Sequence, residues 1–361
     1  MALKHDPVLP PHIGGLKAGP RNAITDVADV TVGHATLADG PIQTGVTVVL
    51  PHPGDIYRDR VPAAATVLNG FGKSIGLMQV EELGVLETPI ALTNTFSVGT
   101  IAQAQIRQCV AANPQCGQRL PTVNPLVFEC NDGYLNDIQA MAIAEQHYRN
   151  ACAAAGSTFV QGAVGAGRGM SSFGVKGGIG SASRYTPIAN GFQYTVGALV
   201  LSNFGRPSQL TLAGRRIGPS LETRLASTTQ AQNGPEKGSV ILIIATDAPL
   251  DARQLRRLSL RAGAGLARTG SVFGHGSGDI ALAFSTAYTL PQDVGRAMPD
   301  IAMLHDALLD PLFQAVADST EQAIVHSLWR AATVVGRDGH HRQAFLDLMA
   351  DYIPAFSEQS L

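Results

Sequence analysis

The sequence predicts a layered α/β protein, and three observations carry that prediction. Short apolar segments, often β-branched and bounded by Gly, Pro or Asn, read as buried strands. Between them run longer segments with apolar residues at three- and four-residue spacing, the pattern of amphipathic helices. The chain is also rich in core material: 45% of its 361 residues are hydrophobic and only 15% charged. Strands buried on both faces need helices to cover them, and that requirement gives layers.

In chain order, residues 45–50 (Gly-Val-Thr-Val-Val-Leu) and 89–94 (Pro-Ile-Ala-Leu-Thr-Asn) are the first strands. Residues 136–155 follow as a helix, with Ile138, Met141, Ile143, Ala144, His147 and Tyr148 at mixed spacing. Glycine clusters at 162–169 and 177–180 interrupt the pattern before the strand at 197–203. Residues 207–237 are polar, with no sustained apolar period, and read as an irregular excursion with a β-hairpin and an exposed loop. The run Ser-Val-Ile-Leu-Ile-Ile-Ala-Thr at 239–246 is a buried strand, and 254–268 is a helix rich in Leu, Arg and Ala. A strand at 280–285 and a helix at 318–332, with Ile324, Val325, Leu328 and Ala332 on one face, complete the set. The 39 glycines and 21 prolines are spread along the chain and not gathered into a linker, so one domain over 1–361 is expected.

Composition excludes several function classes. The formal net charge is −2 with acids and bases interspersed, so no basic face points to nucleic acid. The first residues lack the apolar core of a secretory signal, and no apolar run approaches the ~18–20 residues of a membrane span. A soluble, cytoplasmic protein is the expectation. Cys109, Cys116, Cys130 and Cys152 form no C-x-x-C pair and read as buried thiols. Gly72-Lys73-Ser74 resembles the end of a phosphate-binding loop, but Val67 stands where that loop needs Gly. Gly165-Ala166-Gly167-Arg168-Gly169 is not a dinucleotide fingerprint, there is no H-E-x-x-H, and His340-His341 reads as a polar turn. No metal and no cofactor are expected.

The segment from Thr269 to Asp279 stands apart. Gly276 and Gly278 flank Ser277, with Gly274 nearby, and His275 occupies the place that a G-x-S-x-G elbow gives to Gly. Local sequence leaves two possibilities open. One is a glycine-rich turn between helix and strand. The other is a nucleophile released by self-cleavage, with flanking glycines admitting strained backbone angles. In the second, Ser277 Oγ attacks the Gly276 carbonyl, and hydrolysis of the resulting ester leaves residues 1–276 and 277–361. The freed α-amine, with a reference pKa of about 7.7–8.0, then serves as base for its own hydroxyl and replaces a catalytic histidine.

Along most of its length the chain resembles the L-aminopeptidase/D-esterase-amidase and β-peptidyl aminopeptidase family. The matching segments include Asn22-Ala-Ile-Thr-Asp-Val, Val32-Gly-His, Leu68-Asn-Gly and Thr88-Pro-Ile-Ala-Leu-Thr-Asn-Thr-Phe-Ser-Val-Gly. Further on come Asn131-Asp-Gly-Tyr-Leu-Asn-Asp, Lys176-Gly-Gly-Ile-Gly, Ser202-Asn-Phe-Gly, Ala245-Thr-Asp-Ala-Pro-Leu and the Gly276-Ser277-Gly-Asp junction. The resemblance implies an αββα four-layer sandwich like that of N-terminal-nucleophile hydrolases, with Ser277 as nucleophile. It implies a supporting pair, Ser319 and Glu321, in which Glu321 polarises Ser319. The same stretch also fits a helix capping box, through Ser319 and Gln322 or Asp318 and Glu321. Asn203, at the end of a strand, takes the place of an oxyanion-hole asparagine, or else is a turn residue before Gly205. Glu129 matches an acid that holds the substrate's free amine. The family tyrosine falls at Tyr134 or has Asn131 in its place, and His275 modifies processing.

The implied activity removes small L-, D- or β-amino acids from short peptides, amides or esters through an acyl-enzyme on Ser277, in a homotetramer of cleaved pairs. Two rivals remain at this stage. One is an acyltransferase resembling ornithine acetyltransferases, against which Ser277 argues because that group uses threonine. The other is an uncleaved, non-catalytic scaffold.

Overall fold

The computed structural model describes residues 9–188, 191–227 and 238–352. Two sheets dominate it. The smaller joins β1 (Thr31–Asp39), β2 (Ile42–Leu50), β4 (Ile90–Asn94) and β5 (Val127–Cys130) in that spatial order, β4 and β5 being parallel. The larger contains β3 (Asp59–Gly70), β9 (Gly278–Ser285), β8 (Ser239–Thr246), β7 (Gln193–Asn203) and β6 (Gly178–Pro187) as neighbours in that order. The short strands Leu290–Pro291 and Val85–Leu86 both pair with β3. Within the large sheet β8 and β9 run parallel and the other pairs antiparallel.

The period-two alternation of these strands explains the layers. Ile241 and Ile243 of β8, with Leu199, Leu201, Ile280 and Leu282, meet Val32, Val49, Leu92 and Phe128 of the small sheet in a core between the sheets. The alternate residues Val240, Leu242 and Ile244 face outward. They pack under α3 (Ala252–Arg268) and α4 (Asp310–Trp329), through Leu255, Leu258, Leu266, Val316 and Ile324. On the far side, Val46, Val48, Ala91 and Val127 pack under α1 (Val98–Ala112) and α2 (Glu145–Ala153). The order is helix, sheet, sheet, helix, the four-layer sandwich expected.

Several boundaries differ from expectation. The helix expected at 136–155 forms only from Glu145, because Met141 takes a left-handed φ of 46° that breaks any continuous helix. The helix expected at 318–332 begins at Asp310, with Pro311 in its first turn, where its fixed φ and missing N–H cost nothing. Ser319 is therefore in mid-helix, and the capping-box alternative for it falls. A real capping box opens α3: Asp251 accepts from Gln254 N at 2.7 Å, and Gln254 Oε1 accepts from Asp251 N at 3.2 Å. Of the glycines at 177–180, Gly178 and Gly180 do not interrupt a pattern but open β6, and Gly177 just precedes it. Gly180 is needed there because an added Cβ would lie 1.8 Å from the Ala323 carbonyl of α4. The expected hairpin in 207–237 is Thr211–Leu212 with Arg215–Arg216, followed by a helix, Gly218–Ala226, that its polarity hid. Residues 228–237 of that stretch lie outside the described residues.

Candidate active site

Ser277 is buried at the entry to β9, in the middle of the large sheet. It follows the turn that comes after α3. Gly278 faces Ser239 on one side and Gly70 on the other, in a row that continues to Asn203, which faces Ser239. Two strand spacings therefore separate Asn203 from Gly278, roughly 10 Å. Strain in the junction does not fall on Gly278: the left-handed residues of this stretch are Gly270 (φ 98°) and Phe273 (φ 54°). Gly278 is required for closeness, since a Cβ there would stand 2.8 Å from the Gly72 Cα.

Two side chains hold the junction. Ser277 Oγ donates to Asp279 Oδ1 at 2.5 Å, and both residues are buried. Asn69 Nδ2 donates to the carbonyls of Gly274 (2.9 Å), His275 (3.5 Å) and Ser277, so one amide spans the Gly276–Ser277 bond. Asn69 faces Asp279 across β3 and β9, and the register slips just beyond: Ile280 faces Val67, leaving Leu68 without an opposite. Such a bulge bends the strand and re-aims side chains. His275 is exposed, its ring 6.1 Å from that of Phe71.

The small sheet supplies the opposite wall. The parallel ends of β4 and β5 place Thr93 against Glu129, and the Thr95 hydroxyl donates to Glu129 Oε2. Glu129 Oε1 accepts from Lys73 N at 2.8 Å. Gly72, against which Gly278 packs, lies beside that carboxylate, a Cβ there being 3.8 Å from Oε1. The ammonium of Lys73 turns away, over the Phe71 ring at 4.1 Å. Asn203 bridges the sheets: its Nδ2 donates to the Asn131 carbonyl at 3.1 Å while its Oδ1 accepts from Ser171 N at 2.9 Å. Ser171 belongs to a loop tied by Lys176, whose buried ammonium donates to the carbonyls of Gly167, Met170 and Gly177 at 2.9, 2.6 and 2.8 Å. Burial pushes that lysine well below its ordinary pKa and raises the neighbouring Asp132 to about 6.

Ser277, Glu129, Asn131 and Asn203 are thus gathered around one end of the space between the sheets. The Tyr134 ring stacks on His340 at 4.7 Å and lies under Arg342 at 3.6 Å, and Arg342 Nε donates to Ser171 Oγ at 3.2 Å, so the ring joins the Asn203 cluster only through Arg342. Ser319 and Glu321 sit on α4, which packs on α3, β6 and β7. The expected polarisation of Ser319 by Glu321 is not made. Residues two apart on a helix point about 200° apart. Ser319 Oγ donates back to Ala315 O at 2.6 Å, while Glu321 faces Arg268 at 3.7 Å. Asn69 and Asp279 are the residues that sequence reasoning left without a role. Their only signal was membership of the segments Leu68-Asn-Gly and Gly276-Ser277-Gly-Asp. Among the described residues, no group of His, Cys, Asp and Glu is arranged to hold a metal, and no helix is long and apolar enough to cross a membrane.

Comparison with known proteins agrees with this geometry. The model of peptidase family S58 matches residues 22–342. The chain is 39% identical to the β-peptidyl aminopeptidase BapA of Sphingosinicella microcystinivorans, over 90% of this chain and 85% of that one. Among solved structures it is similar to the PH0078 protein of Pyrococcus horikoshii OT3, with 47% identity, 97% and 98% of the two chains covered and a TM-score of 0.89. It is also similar to the L-aminopeptidase D-Ala-esterase/amidase of Ochrobactrum anthropi, with 33% identity, 94% and 96% covered and a TM-score of 0.84. That enzyme is described as a prototype for serine aminopeptidases and a variant of the Ntn-hydrolase fold. The sandwich is that fold, and the protein is an enzyme, not a scaffold. With layers, serine and family model in agreement, the chain belongs to peptidase family S58.

Proposed function

We propose that the chain cuts itself between Gly276 and Ser277 and then acts as a serine aminopeptidase and amidase. It removes small N-terminal residues from short peptides, amides or esters through an acyl-enzyme on Ser277. The observation that carries this reading is the place of Ser277: buried, opening a central strand between the sheets, and hydrogen-bonded to no histidine among the described residues. A serine without an imidazole needs another base, and its own α-amine becomes one once the chain is cut.

The surrounding groups take the remaining roles. Glu129, on the opposite wall, holds the substrate's ammonium by a charge-assisted hydrogen bond. Asn203 donates to the oxyanion. Its amide is oriented by Ser171 N, and its Nδ2 carries a second N–H besides the one directed at Asn131. Asn131, in touch with Asn203, suits the substrate-binding place better than Tyr134, which is engaged with His340 and Arg342. Glu321 contributes at one remove, by pairing α4 with Arg268 at the end of the helix that leads to Ser277, while buried Ser319 bonds back within α4 itself. A homotetramer of cleaved pairs working in the cytoplasm completes the reading.

The experiment is hydrolysis of L-, D- and β-alanyl p-nitroanilides and amides by wild type and by Ser277→Ala. Wild type is expected to turn over at least one of them and Ser277→Ala none. Equal activity in both proteins sinks the assignment of the nucleophile.

A further inference from the structure

The α-amine that serves as base in the mature enzyme does not exist before the first cut. In the intact chain the Ser277 nitrogen is an amide, and its N–H donates to Gly274 O at 2.9 Å. Self-cleavage therefore needs a different base. The group that Ser277 Oγ touches is the carboxyl of Asp279, at 2.5 Å. On a strand, residues i and i+2 lie on one face, so the step from Ser277 to Asp279 brings hydroxyl and carboxylate together. Both are buried at the bulge where Asn69 faces Asp279. The nearest histidine in sequence, His275, is exposed and directed at Phe71.

We infer that Asp279 is the base of the self-cleavage step, a role that rests on the self-processing reading above. Asp279 Oδ1 takes the hydroxyl proton as Ser277 Oγ bonds to the Gly276 carbonyl carbon. The C–N bond between Gly276 and Ser277 then breaks, and the proton held by Asp279 passes to the departing nitrogen. An ester joins Gly276 to Ser277 Oγ. Water adds to that ester, the C–Oγ bond breaks, and the products are a Gly276 carboxylate and a Ser277 with free hydroxyl and free amine. Asn69 keeps the flanking carbonyls in place during the exchange.

The test follows cleavage of full-length chains made by cell-free translation, by gel and intact mass over time, for wild type, Asp279→Asn and Asp279→Glu. A positioned base contributes about 10²–10⁴-fold. Asp279→Asn is accordingly expected to cut at least about 100-fold more slowly while its circular dichroism and Tm stay near wild type. Asp279→Glu, which keeps a carboxylate, is expected to recover at least about a tenth of the wild-type rate. Should Asp279→Asn not fold, the glutamate variant decides: folded and uncut, it overturns the role. A folded Asp279→Asn chain that cuts within about threefold of wild type overturns it as well. A Ser277→Cys background separates base from scaffold. The thiol ionises more readily, so the Asp279→Asn penalty shrinks there if Asp279 is a base and persists if it is structural. A wild-type chain that never cuts would instead defeat the self-processing reading itself.

Discussion

Replacing Asn69 by alanine removes an amide that spans the Gly276–Ser277 bond, the proposed cleavage site. Its Nδ2 donates to two close carbonyls, Gly274 at 2.9 Å and Ser277, and to a third, His275, at 3.5 Å that adds little. A neutral hydrogen bond is worth about 0.5–1.5 kcal/mol net, so the two close ones together hold the junction by about 1–3 kcal/mol. If that energy is what keeps Ser277 aligned on Gly276, the cleavage rate falls about 5- to 150-fold. Asn69 is half-buried at the end of β3, so the fold itself loses no more than the same few kcal/mol and remains intact. Pulse-labelled precursor followed by gel gives the rate directly. Asn69→Asp is the sharper variant, because it turns a donor into an acceptor facing three carbonyl oxygens, and it is expected to cut more slowly than Asn69→Ala. Cleavage of both at the wild-type rate refutes the clamp.

Glu129→Ala should lower kcat/KM for substrates with a free amine by roughly 10- to 100-fold, the worth of a charge-assisted hydrogen bond, and leave self-cleavage within about threefold. Equal loss of both argues that Glu129 holds the fold and not the amine. His34 tests the electrostatics of the sandwich. Burial holds its imidazole down at about 4, between the Thr47 hydroxyl and the Val160 carbonyl. The unfolded chain takes up that proton near pH 6.5 and the folded chain only near pH 4, so stability is lost as pH falls through this window, by about 3 kcal/mol at most. Buried Asp132, raised to about 6, acts in the opposite sense, its contribution fading as pH rises through 6. The measurement is therefore the difference between wild type and His34→Gln in denaturant unfolding from pH 4 to 7, and identical slopes refute it.

What the sequence showed depended on how local the cause was. Ser239–Thr246 announced itself by eight residues with a continuous apolar interior, and the four-layer order followed from the chain-long resemblance. β3 was harder, because Pro62-Ala63-Ala64-Ala65 has no β-branched signature and becomes strand only between β9 and Val85–Leu86. Ser277 stood out through its glycines, although the geometry gives Gly278 a different purpose, close approach to Gly72. Asn69 had no local signal at all: its partners lie more than 200 residues away and meet it through sheet pairing. Asp279 was visible as a letter in the junction, but its bond to Ser277 depends on the strand that begins there. At Ser319 the polar run Ser-Thr-Glu-Gln imitated a helix start, while the true start lay upstream at Asp310, with Pro311 in the first turn.

The central claim is that one serine first cuts its own chain and then uses the amine so released. Intact mass of the purified protein, with sequencing of the new N-terminus, tests it most directly. The account predicts two chains in equal amount, residues 1–276 and a partner whose first residue is Ser277, and a single uncut chain for Ser277→Ala. A wild-type protein that hydrolyses alanyl amides while remaining one chain would contradict it.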